Sequence, residues 1–290
     1  GHQDCVHGDA GAMANQQLVA TKRVLYLDQI KGLMVALVIT IHATMAFGDM
    51  GWWHGVRIPI EGSGDPFFPV ASRLFFYFCN TFFMCMLFLL SGYFVPGSIH
   101  KKGIERYLRD RLMRIGIPFM VGMLLINNAS YLLARLSPAS PLAELSWSDM
   151  PFNRIGVLWF LVVLFVFDLL YCAWIALRGD RFSVDTAVPA PRLRSWLISA
   201  VVLAILEVVM STRTDLWAAL IDSPFDGLGA QGMHIFTYAF LFFLGCKASF
   251  HNWLERLNSH LVMRWFRFSI ALAFGFLAIS LVLFVNGSLS

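Results

Sequence analysis

Apolar and polar positions alternate in long blocks along this chain, with seven extended apolar runs separated by charged or Gly/Pro-punctuated connections. The first block, LYLDQIKGLMVALVITIHATMAF at Leu25–Phe47, has a charged start. From Leu33 onward it is apolar except for Thr40, His42 and Thr44. The other runs are Leu74–Val95, Ile115–Leu133, Ile155–Leu177, Trp196–Met210, His234–Phe250 and Phe268–Val285. A helix rises about 1.5 Å per residue, so roughly 20 apolar residues span the hydrocarbon core of a bilayer. The pattern predicts an all-α fold, a polytopic transmembrane helix bundle with about seven crossings. Residues 1–24 are polar and small with no apolar core. They are expected to form a disordered tail ahead of a single transmembrane domain over 25–290.

The connection Ser91–Pro118, SGYFVPGSIHKKGIERYLRDRLMRIGIP, carries its own pattern. Gly92, Pro96 and Gly97 are expected to end the second helix. Beyond them Ile104, Tyr107, Leu108, Leu112 and Ile115 recur at helical spacing beside Arg106, Arg109 and Arg111, which predicts a short amphipathic helix lying flat on the inner leaflet. Arg111 and Arg114, three residues apart on one face, form a candidate phosphate site. The other use of these charges is headgroup binding and topology.

Charge sets the orientation. Of the 22 lysines and arginines, five (Arg57, Arg73, Arg135, Arg154 and Arg213) fall in the second, fourth and sixth sides of the path, leaving 17 on the side of the N-terminus. Cations concentrate in cytoplasmic loops, so the N-terminus is expected inside. Composition agrees: 58% of residues are hydrophobic and 14% charged, against about a quarter charged in soluble domains. The net charge of +4 therefore belongs to loops facing membrane lipids, and nucleic acid is not an expected partner. The five cysteines show no CxxC and no spaced pair, so neither a disulfide framework nor a metal site is signalled.

The candidate chemistry lies in the first run. Lys31 and His42 are eleven residues apart, about three turns or roughly 16 Å on one helix face. An ionisable group inside a membrane is costly, which marks His42 as a candidate site residue; a histidine that ties helices together is the other reading. Asp168 and Glu207, in the fourth and fifth runs, are equally costly and either is a candidate partner for His42. Asn80 and Asn128 suit helix ties. Asp28 suits a helix cap or a pair with Lys31, and Ser91 is either a site donor or part of a helix stop. The aromatics of the first outer connection, Trp52 and Trp53 among them, suit the membrane-interface belt more than stacking on sugar rings, and Asp149, Arg154, Asp215, Asp222 and Asp226 in the later ones hold enough polar chemistry for a glycan without a recognisable motif. There is no GxSxG, HExxH, Walker A or GxGxxG motif, and no internal repeat of the kind that builds inverted-repeat transporters.

Several of these stretches, in this order and spacing, resemble acyltransferase family 3 of polytopic membrane acyltransferases. They are YLDQIKG at Tyr26–Gly32 followed by His42, FLLSGYF at Phe88–Phe94, RLMRIGIP at Arg111–Pro118, GVLWFL at Gly156–Leu161 and, more weakly, FLFFLGC at Phe240–Cys246. In the resembling family an arginine precedes the first-helix histidine at this spacing; here it is Lys31, which keeps the charge and loses the forked donor. The family has about ten helices, so the resemblance implies a chain cut short at its C-terminal end. It also implies transfer of an acetyl- or succinyl-class acyl group from cytosolic acyl-CoA to a hydroxyl of an extracytoplasmic glycan or lipid-linked sugar. The setting is a bacterial inner membrane, and no tightly bound cofactor is needed. In that scheme Lys31, Arg111 and Arg114 hold the CoA phosphates, and His42 acts as general base or carries the acyl group. Asp28, Ser91, Asp168 and Glu207 support the site. Two other classes stay open: a transporter or flippase with His42, Asp168 and Glu207 as a proton relay, and a non-catalytic membrane partner.

Overall fold

Apolar segments without water must satisfy their own amides, which only a helix does within one segment. The computed structural model describes residues 29–45, 67–80, 82–136, 141–178, 188–189, 191–221, 223–256 and 259–285, and every regular element among them is helical. In chain order they are α1 (Gln29–Met45), α2 (Phe67–Asn80), α3 (Phe83–Lys102), α4 (Ile104–Arg135), α5 (Trp159–Arg178), α6 (Leu193–Ser211), α7 (Thr214–Ile221), α8 (Asp226–Gln231), α9 (Ile235–Phe250) and α10 (Ser259–Val285). Four described stretches are long and apolar enough to cross a membrane: Leu74–Lys102, α4, Gly156–Arg178 and α6; α1 and α9 are shorter apolar helices. Outward-facing side chains fit that reading. Leu125, Ile126 and Leu133 on α4 and Val201, Ile205 and Val208 on α6 are each more than half exposed, a surface that lipid covers and water does not. The protein is an integral membrane protein.

The chain divides into two compact units, Gly1–His251 and Asn252–Ser290. The second consists of a turn of 3-10 helix at Leu254–Arg256 and the long helix α10, on which Trp265 meets Phe268 edge to face. The first holds the remaining helices around a core of Phe88, Val95, Trp159, Phe167, Tyr171, Tyr238 and Phe242, to which α1 adds Met34, Ile41 and Met45.

Side-chain contacts fix the relative senses of α3, α4, α5 and α9. α3 and α9 run parallel, with Phe88 stacked on Tyr238 and Gly92 against the Phe242 backbone. α5 runs parallel to α9, because Trp159 meets Tyr238 and Phe167 meets Phe242. α4 is antiparallel to α5: Arg111 faces Asp168, Gly122 abuts Leu158, and Asn127 bonds the Arg154 carbonyl. The end of α6 stands beside the start of α9, with Glu207 reaching His234 and Thr237.

Two expectations about the Ser91–Pro118 connection are corrected. Gly92, Pro96 and Gly97 do not end the second helix; α3 runs through all three to Lys102. Pro96 is fully buried, and packing keeps its turn helical. Gly92 is there for contact: a Cβ at this position would lie 2.0 Å from the Phe242 carbonyl oxygen, and one at Gly245 would lie 2.1 Å from that of Leu89. The stop comes at Gly103, whose φ of 78° suits glycine and whose N–H donates to the Ile99 carbonyl. The amphipathic segment is not a separate helix either. Tyr107 and Ile115 are buried while Leu112 is exposed, and the helix continues into α4 through two π-helical stretches, Leu112–Gly116 and Gly122–Asn127. Pro118 cannot donate to the carbonyl four residues back, and the turn before it opens into the wider geometry.

The two kinds of glycine separate by substitution. Gly92→Ala is expected to force α3 and α9 apart and destabilise the protein by about 1–3 kcal/mol. Gly97→Ala, whose Cβ meets nothing within 4 Å, is expected to be neutral or stabilising by up to about 1 kcal/mol. Thermal unfolding in detergent compares them; equal midpoints would show that Gly92 is not a packing contact.

Candidate functional site

The N-terminal turn of α1 offers a cation. Lys31 Nζ lies 3.5 Å from the centroid of the Phe94 ring on α3, a cation–π contact. Three turns along, the half-buried His42 has Nδ1 2.7 Å from the Val38 carbonyl of its own helix. A carbonyl only accepts, so Nδ1 carries the proton and Nε2 holds the lone pair in the neutral ring. The carboxylates expected to serve this histidine are engaged in other clusters.

Asp168 is fully buried on α5, in the stripe Val163, Leu164, Phe167, Tyr171 and Cys172 that faces the core. Its Oδ1 accepts a hydrogen bond from Tyr107 Oη at 2.7 Å, and its Oδ2 lies 3.1 Å from Arg111 Nε. The Arg111 Nε–H is directed at Tyr107 Oη, 2.9 Å away. The phenol thus donates to the carboxylate and accepts from the guanidinium, and the three groups close into one neutral cluster. Desolvation makes a lone charge at this depth untenable, so the ion pair and its phenol bridge stand together.

The three-residue spacing of the two arginines does not put both in this cluster. Arg111 turns inward and keeps 24% of its side-chain surface open, whereas Arg114, inside the π-helical turn, is exposed. Arg114 stands on the outside of α4 near Asp110, which pairs with Lys102 at 2.5 Å. The α3/α4 corner forms an open depression of about 410 Å³ lined by Lys102, Gly103, Ile104, Glu105, Arg106 and Arg109. Ser91 is half-buried in the interior of α3. Asp28 lies outside the described residues.

Lys31 and Arg111 are linked through a run of core contacts. Lys31 sits on Phe94; Gly92, two residues before it, touches Phe242; Phe242 packs on Phe167, and Asp168 follows with Arg111 attached. Glu207 belongs to a second polar cluster at the start of α9, where His234 lies eight residues or roughly 12 Å by helical rise before Phe242. Its Oε1 accepts from Thr237 Oγ1 at 2.5 Å and lies 3.2 Å from His234 Nδ1. Tyr238, one turn beyond His234, donates to Gln231 Oε1 and stacks on Phe88.

Tyr107, His234 and Thr237 are the polar partners that sequence reasoning passed over. Tyr107 falls in the apolar stripe of the amphipathic pattern, which gives its hydroxyl no signal. His234 had a signal: it starts the sixth run where Glu207 nears the end of the fifth, and alternating crossings bring those ends to one depth. Several polar residues of the outer connections hold loops, while Trp52, Trp53 and Asp222 lie outside the described residues. Asn128 and Asn153 exchange two hydrogen bonds, Asp226 accepts from the amides of Gly156 and Gly227, and Asp149 accepts from Ser146 and Ser148. Asn128 thus ties α4 to the turn at Asn153 and not, as expected, to another helix.

Comparison with known proteins adds a family. The acyltransferase domain model of acyltransferase family 3 matches residues 24–289. Proteins named glucans biosynthesis protein C, from Shigella boydii serotype 4 and from Escherichia coli, are 26% identical over 167 residues, which is 55% of this chain. The matched stretch spans 40% of the length of those curated relatives. No solved structure matches the chain.

The two carboxylates differ in what their loss costs. Asp168→Ala leaves Arg111 without its buried counter-charge and is expected to destabilise the protein by about 3–5 kcal/mol. Glu207→Ala, at a pair about a third exposed on both sides, is expected to cost no more than about 1 kcal/mol. Thermal unfolding of the purified variants measures both, and a larger loss for Glu207→Ala would reverse the assignment of the structural ion pair.

Proposed function

Because the chain belongs to acyltransferase family 3, we propose that it is a membrane O-acyltransferase that moves an acyl group of the acetyl or succinyl class from cytosolic acyl-CoA to a hydroxyl of an extracytoplasmic glycan or lipid-linked sugar. The observation that carries this reading is geometric: Lys31 packs on Phe94 of α3, Arg111 is drawn into the core by Asp168, and His42 stands eleven residues along α1 from the lysine. That division suits an anionic donor entering at one end and a proton acceptor deeper in the bundle. The basic corner at Lys102, Arg106 and Arg109 adds positive charge near the mouth, which raises the local concentration of an anionic donor. A glucan-class acceptor is consistent with the name of the relatives, glucans biosynthesis protein C.

In the reaction His42 Nε2 takes the proton of the acceptor hydroxyl while its oxygen attacks the thioester carbonyl. The tetrahedral intermediate collapses with cleavage of the carbon–sulfur bond. The CoA thiolate leaves and is protonated by the imidazolium, which restores neutral His42. Val38 holds the tautomer that this cycle needs. Lys31, Arg111 and Arg114 bind the CoA phosphates, Arg114 from the exposed face of α4. Ser91 and Asp28 are held as supporting residues. The proton-relay alternative finds less support, since Asp168 and Glu207 belong to separate clusters at different depths.

The path through the membrane is part of the same proposal: seven crossings, N-terminus cytoplasmic, in a bacterial inner membrane. The sense of α4, opposed to that of α3, α5 and α9, supports it. A protease-sensitive tag placed ahead of residue 25 is expected to survive protease added to intact spheroplasts and to be cut after lysis; cutting before lysis would reverse the topology.

The activity test is transfer of labelled acetyl or succinyl from its CoA thioester to envelope glycans by membranes carrying the protein. His42→Ala is expected to lower kcat by about 10²–10⁴-fold while membrane insertion is kept. Lys31→Ala is expected mainly to raise KM for the donor, and Lys31→Arg to match or lower it. Full transfer by His42→Ala would end the general-base assignment.

A further inference from the structure

Arg111 is held in an unusual way for a ligand-binding arginine. Its Nε faces both Tyr107 Oη and Asp168 Oδ2, whereas a side-on pair with a carboxylate uses Nε together with a terminal amino group. Among the described residues none accepts a hydrogen bond from either terminal amino group. Tyr107 and Asp168 are themselves buried and bonded to each other, and they come from different helices, α4 and α5. The inner part of the guanidinium is therefore fixed by two groups that cannot move independently, and its outer fork is left for something else. We propose that Tyr107 and Asp168 are positioning residues for donor binding: they anchor Arg111 through Nε so that its two terminal amino groups stay free to grip a phosphate of the donor. The inference rests on the acyl-CoA reading above and names which residues make that site effective.

The physical gain is pre-organisation. A free arginine loses its rotamer freedom when a ligand binds; an anchored one has lost it in folding, so less of the binding interaction is spent on ordering. Asp168 also lets a guanidinium exist at this depth, because the pair is neutral as a whole. Tyr107 separates the two effects, since Tyr107→Phe keeps the ring and the ion pair and removes only the hydroxyl that ties Nε to Oδ1.

The probe is CoA itself, titrated against the purified full chain in detergent. Wild type is expected to bind, and Tyr107→Phe to raise Kd about tenfold, the effect of one hydrogen bond to a charged group. Added to Arg111→Ala, Tyr107→Phe is expected to change Kd no further, because the residue acts only through that arginine. Asp168→Asn should weaken binding in the same direction; if it does not fold, Tyr107→Phe and the double variant carry the test. Unchanged binding by Tyr107→Phe, or a full additional loss in the Arg111→Ala background, overturns the positioning role and leaves the donor reading standing. No CoA binding by folded wild type overturns both.

Discussion

Two glycines set how near α3 and α9 can come, and much of the core follows from that distance. In a bilayer lipid tails are as apolar as leucine, so helices gain little by hiding apolar faces and must associate through close packing. Gly92 and Gly245 permit it, since a Cβ at either would fall within about 2 Å of the facing backbone. With the two backbones in contact, Phe88 can stack on Tyr238 and Phe242 can reach Phe167, which brings α5 into the same layer. The depth of Asp168 is then no longer free: it is the residue after Phe167, and Arg111 has to meet it there.

Helix positions were largely legible because the bilayer imposes length and apolarity directly on the sequence. The fourth, fifth and sixth runs match α5, α6 and α9 to within a few residues at each end. The errors came from rules learned in water. Glycine and proline stop a helix where solvent can take up the orphaned amides. Pro96 and Gly92 lie where solvent is absent, so the helix continues and those residues become surface shape instead. The real stop, Gly103, comes where the chain turns among Lys101, Lys102 and Glu105, all polar.

The site was legible as a set of residue types and illegible as a set of pairs. Asp168 and Glu207 stood out because a carboxylate in an apolar run is costly, and Arg111 stood out as a cation, but nothing in the spacing says that residues 107 and 168 share a hydrogen bond across 61 positions. The spacing of Arg111 and Arg114 misled for a local reason. A three-residue step keeps side chains close together in α or 3-10 geometry but separates them further in a π turn, and Arg111, just before the π-helical turn that begins at Leu112, is part-buried while Arg114 within it is exposed.

The contrast between the carboxylates shows how burial selects a partner. Asp168, with no exposed surface, is matched to a permanent cation and a phenol, each on a different oxygen. Glu207 keeps about a third of its side chain open and makes do with a hydroxyl and an imidazole on a single oxygen. A group that retains contact with a polar surrounding needs only part of its desolvation offset, whereas a buried one needs nearly all of it. That is why the pair at Asp168 joins two helices and fixes a cation in place, while the pair at Glu207 can loosen without opening the core.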